Sequence, residues 1–213
     1  MLITDLAKQV HENAVAHGWW EDKREAPEII ALIHSEWSEA LEEARAGRPM
    51  AYVIVDEVRG GFNQYTERVL YNRGKGDKYD YEIKHGAKPE GIAVELIDGC
   101  IRILDYMGEL EADVQDSDSN TPTDIESLYT DDRENWKDHP AAHIIAYLHM
   151  MTSEALCDAN NNPLYGDLNP MKLMAAMTLA LCWVKDQGLD PLALLLEKHE
   201  YNKTRPYKHG KRF

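Results

Sequence analysis

IIALIHSEWSEALEEA, residues 29–44, returns as IIAYLHMMTSEALCDA at residues 144–159, with nine of sixteen positions identical at a constant offset of 115. Self-similarity at one fixed spacing marks a duplicated structural unit. In both copies apolar residues recur at intervals of three and four, the period of an amphipathic helix. The segments that follow, residues 93–108 and 173–188, align more loosely and share a closing glycine, Gly108 and Gly188. The chain therefore reads as a duplicated helical hairpin. Two such hairpins predict a four-helix bundle about a pseudo-twofold axis.

Prolines extend this reading outward. Pro27, Pro89, Pro140, Pro170 and Pro191 stand where a first helical turn should begin, and Asn169 and Asp190 precede two of them as N-caps. Six helices are predicted, near residues 3–17, 27–46, 89–108, 140–159, 170–187 and 191–205. Two stretches break the rhythm. Residues 50–87 hold the β-type runs AYVIVDEV and KYDYEIK between glycine-rich turns, which predicts a small β-hairpin-like insertion over the bundle. Residues 112–138 carry nine Asp or Glu against Arg133 and Lys137, the composition of a solvated acidic linker with little share in the core. The expected architecture is a single all-α domain over residues 1–213, with residues 140–187 as the second hairpin.

Within the first hairpin, VELIDGCIRILD at residues 94–105 is apolar around most of its circumference, yet Glu95, Asp98, Arg102 and Asp105 share a narrow strip. A helix apolar nearly all round is buried, and buried carboxylates are costly unless they meet a cation or a donor. Positive charge is therefore expected inside the fold. On the helix before it, Glu36, Glu39 and Glu43 form a stripe beside the apolar face of Ile33, Trp37, Ala40, Leu41 and Ala44. Residues three and four apart share a face, so Glu36 and Glu39 can close on the same ion as Glu95 and Asp98. An ExxE motif alone is commonplace on solvated helices. Facing an ExxD on a buried helix, it points to a divalent cation, and hard oxygen ligands suit Mg²⁺ or Mn²⁺.

The second copy serves as an internal control. Met151, Glu154 and Asp158 stand where the first copy has Glu36, Glu39 and Glu43, and Ala175 and Thr178 where it has Glu95 and Asp98. Helical packing is kept in both copies and the paired acids in one, as expected of acids that serve chemistry. Near the C-terminus, Lys198, Asn202 and Arg205 in KHEYNKTRP are spaced to face one way. That set suits phosphate oxygens or, equally, an exposed helix end whose cations complement the dipole.

A net charge of −15 argues against a general nucleic-acid or anionic-membrane partner. Cys100, Cys157 and Cys182 lack CxxC spacing and read as reduced core residues of a cytoplasmic protein. No apolar run approaches the roughly 18 residues of a membrane span. Weaker motifs are set aside: GKG at 74–76 lacks the rest of a P-loop, Glu82 and His85 form a single ExxH, His139 and His143 lack the Glu of HExxH, and Trp19, Trp20, His34 and Trp37 read as packing residues.

HSEWSEALEEARAGRP, KPEGIAVELIDGCIRILDYMG and KHEYNKTRPYKHGK resemble, in order, the MazG-like members of the all-α NTP pyrophosphatase superfamily, which includes the dimeric dUTPases. The likeness spans residues 5–49, 88–108 and 188–211. It implies a Mg²⁺-dependent hydrolase that splits a nucleoside triphosphate into monophosphate and pyrophosphate. It also implies Glu36, Glu39, Glu95 and Asp98 as metal ligands and Lys198, Asn202 and Arg205 as phosphate-side residues. Glu43 is added as a metal ligand from the helical stripe alone. Glu39, with Glu36 beside it, is the candidate base, and a homodimer is expected. The long connection between Glu39 and Glu95 and the second hairpin depart from the simple family layout. Two alternatives stay open: a non-catalytic nucleotide- or protein-binding module with a vestigial ion site, and a hydrolase of another phosphoanhydride, such as a nucleoside diphosphate or an alarmone.

Overall fold

The computed structural model describes residues 1–59, 65–72, 88–113, 124–130, 135–156 and 168–210. Its helices are α1 (Ile3–Ala16), α2 (Ala26–Arg45), α3 (Ile92–Asp113), a short α4 (Ser127–Thr130), α5 (Ala141–Ala155), α6 (Pro170–Asp186) and α7 (Pro191–Lys203), with a 3₁₀ turn at Tyr207–Gly210. Three strands, β1 (Tyr52–Arg59), β2 (Tyr65–Asn72) and β3 (Pro89–Glu90), make an antiparallel sheet in the order β2-β1-β3. The fold is all-α, with the sheet as an appendage between α2 and α3.

Four helices close the core as a ring. α2 packs on α3, α3 on α6, α6 on α5 and α5 back on α2. The two hairpins are thus α2–α3 and α5–α6, and each helix of one touches its counterpart in the other. Trp37, Ile97, Leu104, Ile144, Leu148 and Met177 are among the side chains fully buried between them. α1 and α7 lie against α3, which is thus packed by α1, α2, α6 and α7. Its near-complete apolar circumference follows from that central position.

Local signals set the helix starts. The Asn169 side chain accepts hydrogen bonds from the amides of Met171 (3.0 Å) and Lys172 (3.3 Å), and Asp190 accepts from that of Ala193 (3.1 Å). Pro89 differs from the expectation: it lies in β3, opposite Val53, and α3 begins only at Ile92. The chain turns between them at Gly91, whose φ is +115° and whose missing Cβ would stand 2.8 Å from the carbonyls of Pro49 and Met50. Only glycine fits there. Gly108 does not end α3 either. It sits inside the helix, where a Cβ would lie 2.6 Å from the Ala7 carbonyl, so its role is the close approach of α1.

One further expectation is corrected. The acidic stretch 112–138 does contribute to the core: Ile125 and Tyr129 are buried, α4 packs on α6, and Lys185 Nζ donates to the Tyr129 carbonyl at 2.8 Å. The second strand of the insertion is Tyr65–Asn72. KYDYEIK, GKG, Glu82, His85, Cys157 and Asp158 lie outside the described residues. Cys100 and Cys182 are buried free thiols. Among the described residues no helix is long and apolar enough to cross a membrane.

Candidate functional site

α2 and α3 each present two carboxylates one turn apart. Carboxylate oxygens of Glu36, Glu39 and Glu95 come within 4.8 Å of one another. Glu36 and Glu95 are buried, whereas Glu39 is exposed at the rim. The junction from the sheet fixes Glu95: Ala93 N donates to the Met50 carbonyl (2.8 Å) and Glu95 N to the Gly91 carbonyl (3.0 Å), which places the residue in the first turn of α3.

The interior positive charge comes from two residues. Arg102 Nε donates to Glu36 Oε1 at 3.0 Å, and Lys198 Nζ pairs with Asp98 Oδ2 at 2.7 Å and with the Pro89 carbonyl at 3.2 Å. Glu39 and Glu95 have no direct ion pair among the described residues. Burial pushes the Glu95 carboxyl up to about 8, Asp98 and Glu36 adding to the rise and Lys198 opposing it. Burial likewise raises Glu36, against the pull of Arg102. Burial also works against the charge of Lys198, yet Asp98 and Glu95 hold its ammonium above the usual lysine range. With all four acids ionised, their group with Arg102 and Lys198 would carry about −2, and burial and this crowding instead push Glu36 and Glu95 toward their protonated forms. A divalent ion would take the place of those protons.

These carboxylates open on a cavity of about 110 Å³ between α1, α2, α3 and α7. Its lining is acidic in Glu36, Glu39, Glu95, Asp98 and Asp105, cationic in Lys88, Arg102 and Arg205, neutral polar in Asn13, His199 and Asn202, and apolar in Val10, Ala14, Ile101 and Trp19. Trp19 is fixed from outside: Arg24 Nε donates to its carbonyl (2.9 Å), and the Arg24 guanidinium lies 5.2 Å from its ring centroid. Asp105, also on the cavity wall, accepts from Trp20 Nε1 at 2.9 Å and pairs with His11 Nδ1 at 3.0 Å.

Of the residues singled out in the sequence, Glu36, Glu39, Glu95, Asp98, Asn202 and Arg205 line one cavity. Glu43 does not join the carboxylate group; its Oε2 accepts the Tyr52 hydroxyl at 2.7 Å. Lys198, 1% exposed, sits behind Asp98 and is not on the cavity wall. In the second copy, Glu154 faces solvent and pairs with Lys172 at 2.7 Å. The sequence signal for His199 is its place three residues before Asn202 on the same helical face. Asp105 belongs to the charged strip, but nothing in its neighbourhood along the chain announces Trp20 and His11.

The donor set fits a cation: three carboxylates from two helices converge, the two buried ones are raised toward their protonated forms, and a divalent ion would favour the ionised forms of all three. Glu36, Glu39 and Glu95 are the residues that could hold it, with Asp98 adjacent on the same wall. A scan against family models, the curated proteins and the solved structures finds no match to this chain.

Proposed function

We propose that the protein is a Mg²⁺-dependent nucleotide pyrophosphohydrolase, converting a nucleoside triphosphate, ribo or deoxy, to the monophosphate and pyrophosphate. The observation that carries this reading is the convergence of Glu36, Glu39 and Glu95 within 4.8 Å on the wall of a cavity that also has apolar lining. The resemblance of three separated sequence blocks to MazG-like enzymes supports it independently. Hard carboxylate oxygens favour Mg²⁺, or Mn²⁺ in its place.

In this reading water adds to the α-phosphorus, the bond to the bridging oxygen of pyrophosphate breaks, and the proton of the water passes to a carboxylate. A bound divalent ion supplies charge neutralisation and a more acidic water. Glu39 is the better base of the two candidates, because it is exposed to the cavity and Glu36 Oε1 is already engaged by Arg102. Arg205, on the cavity wall, stabilises charge developing on the leaving group. Lys198 acts through Asp98, whose orientation it fixes. The buried free thiols Cys100 and Cys182 suit a cytoplasmic protein, and a homodimer belongs to the same proposal.

The test is pyrophosphate release from a panel of NTPs and dNTPs with Mg²⁺, using Glu95→Gln and Asp98→Asn as controls. Turnover lost in both variants is expected. Activity indifferent to both substitutions overturns the assignment, and nucleotide binding without turnover in the unaltered protein favours the binding-module alternative.

A further inference from the structure

Two residues of the cavity wall each carry a buried polar atom without a partner. His199 and Asn202 are 2% and 9% exposed, and His199 Nε2 and Asn202 Oδ1 are buried with no hydrogen bond. Among the described residues no other buried side-chain polar atom is so placed. Folded proteins satisfy nearly all such atoms, so a buried orphan on a residue that lines a cavity points to a partner that comes within reach when the cavity is filled. Three residues apart on α7, the two share one face. Both line the cavity that contains the acidic group.

Their chemistry differs from that of the carboxylates. Burial holds the His199 imidazole below its usual range, with Lys203 adding to the effect, so it is neutral near pH 7. The Asn202 amide carries no charge. A neutral ring nitrogen and an amide oxygen are poor anchors for phosphate, which draws cations and forked donors. They suit a group that donates one hydrogen bond and exchanges another, a hydroxyl or an amine. The same cavity has apolar lining from Val10, Ala14, Ile101 and Trp19, which can shelter a ring.

We propose that His199 and Asn202 are specificity residues that hydrogen-bond an uncharged hydroxyl or amino group of the nucleoside, while the carboxylates take the metal–phosphate end. The inference rests on the proposed function and refines it. It gives the Asn202 amide oxygen a nucleoside partner, where the resemblance would put the residue on the phosphate side.

The experiment is titration calorimetry with Mg²⁺ on wild type, His199→Phe and Asn202→Leu, variants of similar size without the orphan atoms. Ligands are a non-hydrolysable nucleoside triphosphate, its analogues lacking the 2′-hydroxyl, the 3′-hydroxyl or the base amino group, and inorganic tripolyphosphate. Each variant is expected to bind tripolyphosphate within about twofold of wild type and to lose roughly tenfold or more with the complete nucleotide. The loss should vanish on the analogue that lacks the contacted group, which separates sugar from base. Melting temperatures should hold or rise, because replacing an unpartnered buried polar group by an apolar one removes a penalty. Should an apolar variant unfold, His199→Gln is read in the same way. Equal weakening toward tripolyphosphate and nucleotide, or unchanged affinity across the nucleotide series, overturns the inference. Wild type that binds no nucleotide overturns the proposed function as well. Selective loss in the variants of a wild type without turnover sustains the inference and sinks the hydrolase.

Discussion

His34 and His149, 115 residues apart, face each other across the seam between α2 and α5, their Nδ1 atoms 2.7 Å apart and their rings stacked at 4.9 Å with an angle of 14°. The separation equals the offset of the sequence duplication. Each histidine therefore meets its own counterpart, as residues do where they lie on a twofold axis. Trp37 and Thr152 obey the same offset, with the indole Nε1 donating to the threonine hydroxyl at 2.9 Å. Burial holds both imidazoles below their usual range, so one neutral ring donates to the other.

The Trp37–Thr152 bond should be costly to break from either side. Both residues are fully buried. Trp37→Phe leaves the threonine hydroxyl without its partner, and Thr152→Val does the same to the indole N–H. Each is expected to destabilise by about 1–3 kcal/mol, with the double variant less unstable than the sum. Urea unfolding of the four proteins measures the coupling. Strict additivity would mean that the seam bond contributes nothing.

Lys198→Met removes the cation that faces Asp98. The loss of one partner from a buried pair costs about 3–5 kcal/mol, and Asp98, 16% exposed, points to the lower end of that range. Added Mn²⁺ should restore more stability to this variant than it adds to wild type, because the ion replaces the missing charge. Denaturation with and without Mn²⁺ checks this. Equal effects of the ion on both proteins would count against a cation site at these acids.

Gly99→Ala should destabilise, although Ala in a helix interior is ordinarily better than Gly by about 1 kcal/mol. A Cβ at Gly99 would stand 2.2 Å from Trp37 Cζ3. The ring cannot yield without straining its bond to Thr152, so a loss of roughly 1–3 kcal/mol is expected. Thermal unfolding decides the sign, and a rise in midpoint refutes the packing argument.

His11 links stability to pH. Its pKa is raised, through the hydrogen bond to Asp105 first and the charges of Asp105 and Glu109 besides. A raised histidine binds its proton more tightly folded than unfolded, so its contribution is complete below the unfolded value of about 6.5 and fades as pH rises through the higher folded value. The stability difference between wild type and His11→Gln should therefore shrink from pH 6 toward pH 8. Parallel stability curves for the two proteins would exclude charge on His11 as the cause.

The sequence by itself determined the helices, the duplication and the carboxylates. These depend on periods of three and four residues, on capping side chains and on self-similarity, all of which are local along the chain or comparable by eye. Glu36, Glu39 and Glu95 were legible because one helical turn aligns each pair and because burial of α3 demanded a reason for its charges. Only the tertiary structure decided which cation answers which acid. Lys198 and Asp98 are a hundred residues apart in the chain, and spacing along α7 could not tell an ammonium turned inward from one that lines the cavity. The same holds for Glu43, captured by Tyr52 from the neighbouring sheet, for Gly108, which reads as a helix end, and for Gly91, inside a predicted helix; both glycines answer to backbone atoms of other segments. Partner choice across elements is fixed by packing in three dimensions, where close approach and burial select among residues that the one-dimensional pattern leaves equivalent.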